Sequence, residues 1–104
     1  MSPRGYAGSR LDANQPEIVA EFRRLGATVT SLAAVGGGCP DLVVGYHGRN
    51  QLVEVKDGSK PKSQQRLTKD QVKWLDGWRG CAVVVRHKEQ CYSVLVDMDK
   101  GGAV

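Results

Sequence analysis

The chain has 104 residues and a formal net charge of +4; 40% of its residues are hydrophobic and 25% are charged. These values predict one globular domain with a modest core. No run approaches the ~20 apolar residues of a membrane helix, and the N-terminus lacks a signal-peptide core, which argues against membrane insertion and export. The three cysteines form no CxxC pair, so we expect reduced thiols and a cytoplasmic location. The positive charge suits a polyanionic partner.

The sequence divides into a terminal arm, a folded domain and a tail. Residues 1–13 are typical of a flexible basic arm, in which Arg4 and Arg10 are candidate phosphate contacts. Residues 14–98 carry all the periodic apolar segments and form the predicted domain. Residues 99–104 are glycine-containing and are predicted to be a tail.

The first helix is predicted over residues 15–25. Asn14 is a good N-cap residue, and Glu17 follows at the spacing of a capping box. Gly26 marks the end of the helix. The apolar stripe consists of Ile18, Val19, Phe22 and Leu25.

A β-branched, mostly apolar segment over residues 27–35 predicts the first strand. Three glycines, at residues 36–38, then end it. They form either a merely flexible loop or a loop that lets a phosphate or sugar approach closely. Pro40 favours an extended conformation at Cys39 and fixes the entry to the next element.

Residues 40–56 predict a β-hairpin, because two β-branched runs flank a polar stretch that contains glycine. A turn centred on residues 48–49 places Asp41 opposite Lys56. Side chains alternate between the faces of a strand, so Glu54 and Lys56 share one face and Asp41 joins them. The opposite face of the hairpin carries core valines.

Two converging carboxylates raise each other's pKa unless a cation joins them. Lys56 could be that cation in a plain salt bridge. A hard divalent metal is the alternative, since Mg²⁺ binds one or two carboxylates together with waters and substrate phosphate.

A polar segment over residues 57–70 follows the hairpin. It is either a solvated loop or a set of phosphate contacts beside the carboxylates, and its position favours the latter. The candidate residues are Lys60, Lys62, Arg66 and Lys69.

The second helix is predicted from Thr68, as N-cap, to about Gly80. Gln71 lies at the third position of a capping box. Helical spacing places Gln71 on one face with Trp74, Leu75 and Trp78. We interpret the tryptophans as core residues rather than as platforms for base stacking.

Residues 81–85 and 91–96 predict two further strands joined by a polar turn. The predicted fold class is therefore α/β, a small mixed sheet with two helices packed on it in the order α-β-β-β-α-β-β. No P-loop is present, so a nucleotide cofactor is not expected. His47 and His87 are solitary, which argues against zinc.

Pro40-Asp41, followed after twelve residues by Glu54-Val55-Lys56, resembles the PD-(D/E)XK nuclease signature. The virus-type replication-repair nuclease domain of phages (VRR-NUC) is the nearest match, and archaeal-type Holliday junction resolvases are also similar. The resemblance extends from about residue 14 to about residue 85. It implies hydrolysis of DNA phosphodiester bonds with Mg²⁺ or Mn²⁺ by a phage- or bacterium-encoded endonuclease.

The resemblance also implies roles for individual residues. Asp41, Glu54 and the Val55 carbonyl would bind metal, and Glu17 would complete the site, although Glu17 could instead only cap its helix. Lys56 would position or deprotonate the attacking water, or neutralise developing charge. Gln71 would hold the water or a phosphate oxygen.

A two-stranded cut by so short a chain implies two active sites and hence a homodimer. A four-way junction or other branched DNA is then a plausible substrate, because a two-fold dimer matches its symmetry. Two rival interpretations stay open: a non-catalytic DNA-binding protein on the same fold, and a phage structural protein with a coincidental motif. The second rival predicts Asp41 and Glu54 on opposite faces of the hairpin.

Overall fold

The structure is a computed structural model and describes residues 12–101. Arg4 and Arg10 lie outside these residues. The elements, in chain order, are α1 (Gln15–Arg24), β1 (Thr28–Ser31), β2 (Leu42–Tyr46), β3 (Arg49–Val55), α2 (Lys69–Gly77), β4 (Ala82–Val85) and α3 (Gln90–Asp99), with a 3₁₀ turn at Lys62–Gln64 before α2.

This part of the chain is a small α/β protein with three helices and a four-stranded mixed sheet, in the order α-β-β-β-α-β-α. The strands lie side by side in sequence order. β1, β2 and β3 are antiparallel neighbours, whereas β4 runs parallel to β3. The predicted α/β class and mixed sheet are confirmed. None of the helices within residues 12–101 has the length and apolarity of a membrane span.

The prediction of a final strand over residues 91–96 is wrong, because these residues belong to α3. Cys91, Leu95 and Met98 are buried, and their spacing of four and three residues is that of a helix face. Tyr92, between them, is 66% exposed. The β-branched composition of the segment suggested a strand, but burial on one helical face overrides this weak preference. The predicted tail also begins too early, since Asp99 is still helical.

The core lies between one face of the sheet and the helices α1 and α3. The predicted packing of the second helix on the sheet is therefore wrong: α3 takes that place, and α2 contains no buried residue. The largest fully buried side chains of the core include Phe22, Ile18, Leu42, Met98, Val44, Val53, Val55, Val85 and Cys91.

The first strand is shorter than predicted, because the chain turns after Ser31 instead of extending to residue 35. The three glycines that follow all have positive φ, between 66° and 89°. Such angles strain residues that carry a Cβ, which explains why glycine occupies this loop.

The hairpin between β2 and β3 forms with a different turn from the predicted one. The two turn residues are His47 and Gly48, both with positive φ, as in a type I′ turn. Val43 therefore pairs with Leu52 and Leu42 with Val53, so Asp41 lies opposite Glu54 instead of opposite Lys56. A shift of two residues leaves every side chain on its predicted face, because the side-chain period of a strand is two.

Asn14 connects α1 to the ends of two strands. Its Nδ2 donates hydrogen bonds to the carbonyl oxygens of Lys56, at 3.1 Å, and of Arg86, at 3.0 Å. The predicted side-chain cap is not formed, because Asn14 has helical backbone angles (φ −86°, ψ −2°) instead of the extended angles typical of an N-cap. Asn14 thus joins the ends of β3 and β4.

We expect Asn14→Asp to lower the free energy of unfolding by about 1–3 kcal/mol, because aspartate has no N–H group for the two carbonyls. Aspartate is an equally good N-cap, so a capping role predicts almost no loss. Urea unfolding of the wild type, Asn14→Asp and Asn14→Ala would measure the difference. Wild-type stability of Asn14→Asp would contradict the bridging role.

Candidate active site

Four segments meet at one cavity of about 520 Å³. They are the residue Asp12 before α1, the glycine loop at residues 36–38 with its neighbours, the facing ends of β2 and β3, and the first turn of α2. The lining residues are Asp12, Leu32, Ala33, Gly36, Gly37, Gly38, Cys39, Asp41, Glu54, Lys56, Thr68, Asp70 and Gln71. The four side chains predicted to be catalytic, Asp41, Glu54, Lys56 and Gln71, all lie in this cavity.

Asp41 precedes β2 and lies beside the end of β3. The pairing of Leu42 with Val53, continued by one residue, brings Asp41 opposite Glu54. Its Oδ2 accepts a 2.7 Å hydrogen bond from the backbone N–H of Val55. This bond satisfies a backbone donor at the end of the strand and fixes the carboxylate beside that of Glu54.

Glu54 and Lys56 are both buried, with exposures of 2% and 8%. Their side chains point to the cavity because they alternate with Val53 and Val55, which face the core. The Lys56 Nζ lies 3.8 Å from Glu54 Oε2. One ammonium group thus accompanies two carboxylates.

Gln71 connects this ion pair to the start of α2. Its Oε1 accepts hydrogen bonds from Lys56 Nζ, at 2.8 Å, and from the Thr68 backbone N–H, at 2.9 Å. Its Nε2 donates to Glu54 Oε2 at 2.9 Å. Two donors contact the amide oxygen of Gln71 and a carboxylate contacts its nitrogen, so these contacts fix the orientation of the Gln71 amide. The predicted capping box is confirmed, with Gln71 N–H donating to Thr68 Oγ1 at 3.1 Å.

The cap and the site contact are therefore made by the same carboxamide. The two roles weighed for Gln71 in the sequence are not alternatives. The helix start is held in place by the residue that contacts both Glu54 and Lys56, so the position of α2 and the arrangement of the cavity depend on each other.

Burial raises the pKa of Glu54 most, and the negative charge of Asp41 raises it further. The Lys56 ammonium opposes both effects, yet the pKa reaches about 8, against an ordinary value of 4.5. Burial also raises the pKa of Asp12. The Lys56 ammonium opposes this rise, and the Asp41 carboxylate adds to it. The cavity thus holds more acid groups than its single buried ammonium neutralises.

Gly38 allows the glycine loop to approach the first turn of α2. A Cβ at this position would lie 2.3 Å from the Asp70 carbonyl oxygen and 2.9 Å from the Gln71 backbone nitrogen. Both atoms belong to the backbone, so they cannot move away as a side-chain end could. The absence of a side chain at residue 38 therefore determines how close Gln71 comes to the strand ends.

The structure does not bring Glu17 to the cavity. Glu17 is exposed on α1 and lines a separate depression with Asp57 and His87. Asp12 and Asp70 are the acidic residues that line the cavity in addition to Asp41 and Glu54. No pattern in the sequence indicated Asp12, because it precedes α1 in the segment that we predicted to be a flexible arm.

Cys39 also lines the cavity, and sequence analysis assigned it no role. It is half-buried. Burial raises the pKa of its thiol most, and the nearby carboxylates of Glu54 and Asp41 raise it further. A raised pKa disfavours the thiolate, so Cys39 is a poor nucleophile here.

The predicted phosphate contacts lie in three places. Lys60 is close enough to Asp12 to oppose the rise that burial causes in the pKa of that residue. Lys62 and Arg66 line a separate depression that also contains Arg86. Lys69 lies in a third depression, with Val72 and Lys73 of α2.

A divalent cation fits the donor set of this cavity. Among residues 12–101, no group of three or more His, Cys, Asp or Glu side chains could by itself hold a metal ion. Mg²⁺ needs no such group, because it commonly binds one or two carboxylates and completes its shell with waters and phosphate oxygens. Asp41 and Glu54 are such a pair, and their uncompensated charge favours a cation.

Comparison with known proteins finds no match: no family model matches the chain, nor does a curated protein or a solved structure.

The raised pKa of Glu54 makes a prediction for stability in metal-free solution. The folded-state pKa lies above the unfolded value, so this contribution to stability is fully present below about pH 4.5 and is lost as the pH rises through about 8. Glu54→Gln does not titrate at this position. Its melting temperature should therefore rise relative to the wild type between about pH 5 and about pH 8.

Thermal melts in a chelator at several pH values would measure this difference. Glu17→Gln, which changes an exposed carboxylate outside the cavity, is the control and should follow the wild type. A difference between Glu54→Gln and the wild type that stays constant with pH would contradict the raised pKa.

The contact of Gly38 with α2 makes a second prediction. Gly36→Ala meets open space and should cost about 1–2 kcal/mol for its positive φ alone. Gly38→Ala has the same backbone strain and must also displace the start of α2, so it should cost more. It should also shift the side-chain amide resonances of Gln71, which Gly36→Ala should leave in place. Equal effects of the two variants in unfolding and NMR experiments would show that the close contact is unimportant.

Proposed function

We propose that this chain is a divalent-cation-dependent endonuclease that hydrolyses phosphodiester bonds in DNA, related in its site to the PD-(D/E)XK nucleases. One observation carries the proposal: Asp41 and Glu54 lie side by side in an open cavity, with Lys56 and Gln71 in hydrogen-bond or ion-pair contact with Glu54. These are the residue types that metal-assisted phosphodiester hydrolysis requires.

Asp41 and Glu54 would hold Mg²⁺ or Mn²⁺, with the Val55 carbonyl as a further oxygen ligand. When bound, the cation supplies Lewis-acid chemistry, because it neutralises charge on the phosphate and lowers the pKa of the attacking water. Asp41 is fixed by the Val55 N–H, and Glu54 by the Gln71 amide. Both carboxylates are thus held in place before substrate binds, which lowers the cost of ordering the site.

Lys56 would act on the water or on the phosphate. An ammonium has three N–H donors, and one of them is directed to Gln71 Oε1. The remaining donors can orient the attacking water or bind a phosphate oxygen. Hydrolysis adds the water oxygen to phosphorus and breaks the bond to the leaving sugar oxygen, which takes up a proton as the water loses one.

Gln71 would serve as a positioning residue. Its carboxamide holds Lys56 on one side and Glu54 on the other, at 2.8 and 2.9 Å. Asp12 would support the site as a further carboxylate in the role that the resemblance implied for Glu17.

DNA would approach across the glycine loop. The loop carries no side chains, and the chain has a net charge of +4. Lys60, Lys62 and Arg66 would contact phosphates near the cavity. A cut in both strands would require two copies of the site, which a homodimer would supply, and a four-way junction would match such a dimer.

The rival interpretations are less well supported. A non-catalytic DNA-binding protein does not need two acid groups beside the path of the phosphates, because carboxylates repel DNA. A coincidental motif predicted Asp41 and Glu54 on opposite faces of the hairpin, whereas both line the same cavity.

Cleavage of a labelled panel of linear duplex, flap, four-way junction and single-stranded DNA tests the proposal. The wild type should cut at least one substrate with Mg²⁺ and none in a chelator. Glu54→Gln keeps the shape of the side chain but removes its charge, so the single-turnover rate should fall at least about 100-fold, equivalent to about 2.7 kcal/mol. DNA binding should be retained, because Glu54 would contact the cation and not the DNA.

Asp12→Asn and Glu17→Gln form a matched pair in the same assay. We expect a loss of about three- to tenfold for Asp12→Asn, since one tenfold step is about 1.4 kcal/mol, and wild-type rates for Glu17→Gln. Metal-dependent cleavage by Glu54→Gln at the wild-type rate would remove the nuclease proposal. If Glu17→Gln lowered the cleavage rate and Asp12→Asn did not, Glu17 and not Asp12 would belong to the site.

A further inference from the structure

The second helix presents a stacked pair of tryptophans to solvent. The indole rings of Trp74 and Trp78 have centroids 4.6 Å apart and planes inclined by 19°. Trp78 is 46% exposed, and Trp74 is half-buried. The expectation that both are core residues is therefore wrong. Large aromatic groups exposed next to a cavity point to a binding surface.

The stack is held in a defined position. Trp78 follows the last residue of α2, and its backbone N–H donates to the Leu75 carbonyl at 3.2 Å. A Cβ on Gly80 would lie 2.8 Å from Trp78 Nε1, so only a residue without a side chain leaves room for the edge of the indole. The outer indole is thus supported by Trp74 on one side and bordered by Gly80.

The cleft beside the tryptophans adjoins the acid cavity, because Gly37 and Asp70 line both. Gln71, in the acid cavity, lies about 4.5 Å along the helix axis from Trp74 and about 10 Å from Trp78. A stacked DNA strand rises about 3.4 Å per nucleotide, so the stack lies within about three nucleotides of the acid pair.

The composition of the cleft suits a nucleobase. Among residues 12–101, its walls contain two glycines, two tryptophans, Asp70 and Lys73, and no aliphatic side chain. The flat indole face matches a base, and Lys73 can bind a phosphate. A protein partner would more often require aliphatic neighbours to build a dry interface core.

We propose that Trp78, supported by Trp74, stacks on an unpaired nucleobase of the DNA strand whose backbone enters the acid cavity. This inference rests on the proposed nuclease function and specifies its substrate: a strand with at least one unpaired nucleotide next to the cut, as in a flap, a frayed end or an open junction. Bases in an intact duplex are stacked on one another and leave no face for Trp78.

Binding in a chelator tests the inference without any cleavage. The probes are a labelled oligothymidylate of about ten nucleotides and an abasic strand with the same number of phosphates. The wild type should bind the thymidylate about five- to 100-fold more tightly than the abasic strand, with quenching of tryptophan emission. Trp78→Leu should lose this preference and bind both strands equally, while Trp78→Phe should retain part of it.

Tyr92→Leu is the matched control, because Tyr92 is also an exposed aromatic residue but lies on α3 outside both clefts. It should bind like the wild type, and circular dichroism would verify that each variant is folded. Equal affinity of the wild type for the two strands, or an unchanged preference in Trp78→Leu, would overturn the inference. A Trp78→Leu variant that changed only the oligomeric state in sedimentation would also overturn it, in favour of a second copy of the chain as the occupant.

The result is independent of the nuclease assay. Base-dependent binding without cleavage would support stacking even if the chain were no nuclease. Metal-dependent cleavage with no preference for bases over abasic sites would keep the proposed function and remove the stacking role of Trp78.

Discussion

The buried carboxylate of Glu54 is the group on which the arrangement of the site depends. A carboxylate that is 2% exposed and lies next to Asp41 is unfavourable unless other groups compensate its charge. The chain supplies an ammonium at 3.8 Å and an amide donor at 2.9 Å, yet the pKa stays near 8. A core that needed only stability would be better served by an apolar residue here, because replacing buried charges with packed apolar groups is often stabilising. A buried acid group with so high a pKa is therefore best explained by a function, and a bound cation would take the place of its proton.

The fold separates the functions of its helices. α1 and α3 cover one face of the sheet and build the core, whereas α2 buries none of its residues. Polar contacts keep α2 in place: the Gln71 carboxamide joins it to Lys56 and Glu54, and Gly38 gives it room against the glycine loop. A helix held in this way can present its exposed groups to a ligand. This accounts for the location of the tryptophan stack next to the acid cavity.

Much of the site could be predicted from the sequence, because it depends on the period of a strand. The predicted hairpin register was wrong by two residues, but Asp41, Glu54 and Lys56 kept their faces since any even shift preserves them. The placement of Asp12 could not be predicted, because a residue before a helix follows no period and its position depends on how the whole helix packs. The prediction of a strand over residues 91–96 was wrong for a different reason. It gave more weight to the composition of the segment than to its spacing, although Cys91, Leu95 and Met98 follow a helical period. The exposure of Trp78 could not be foreseen, since the sequence does not show whether another element covers a helix face.

Calorimetric titration with Mn²⁺ would show whether Asp41 and Glu54 form a site for a divalent cation. The wild type should bind one ion saturably, and Asp41→Asn and Glu54→Gln should each lose this binding while remaining folded. Glu17→Gln should bind as the wild type does. Absence of saturable binding in the wild type, or binding that persists unchanged in both cavity variants, would contradict the account.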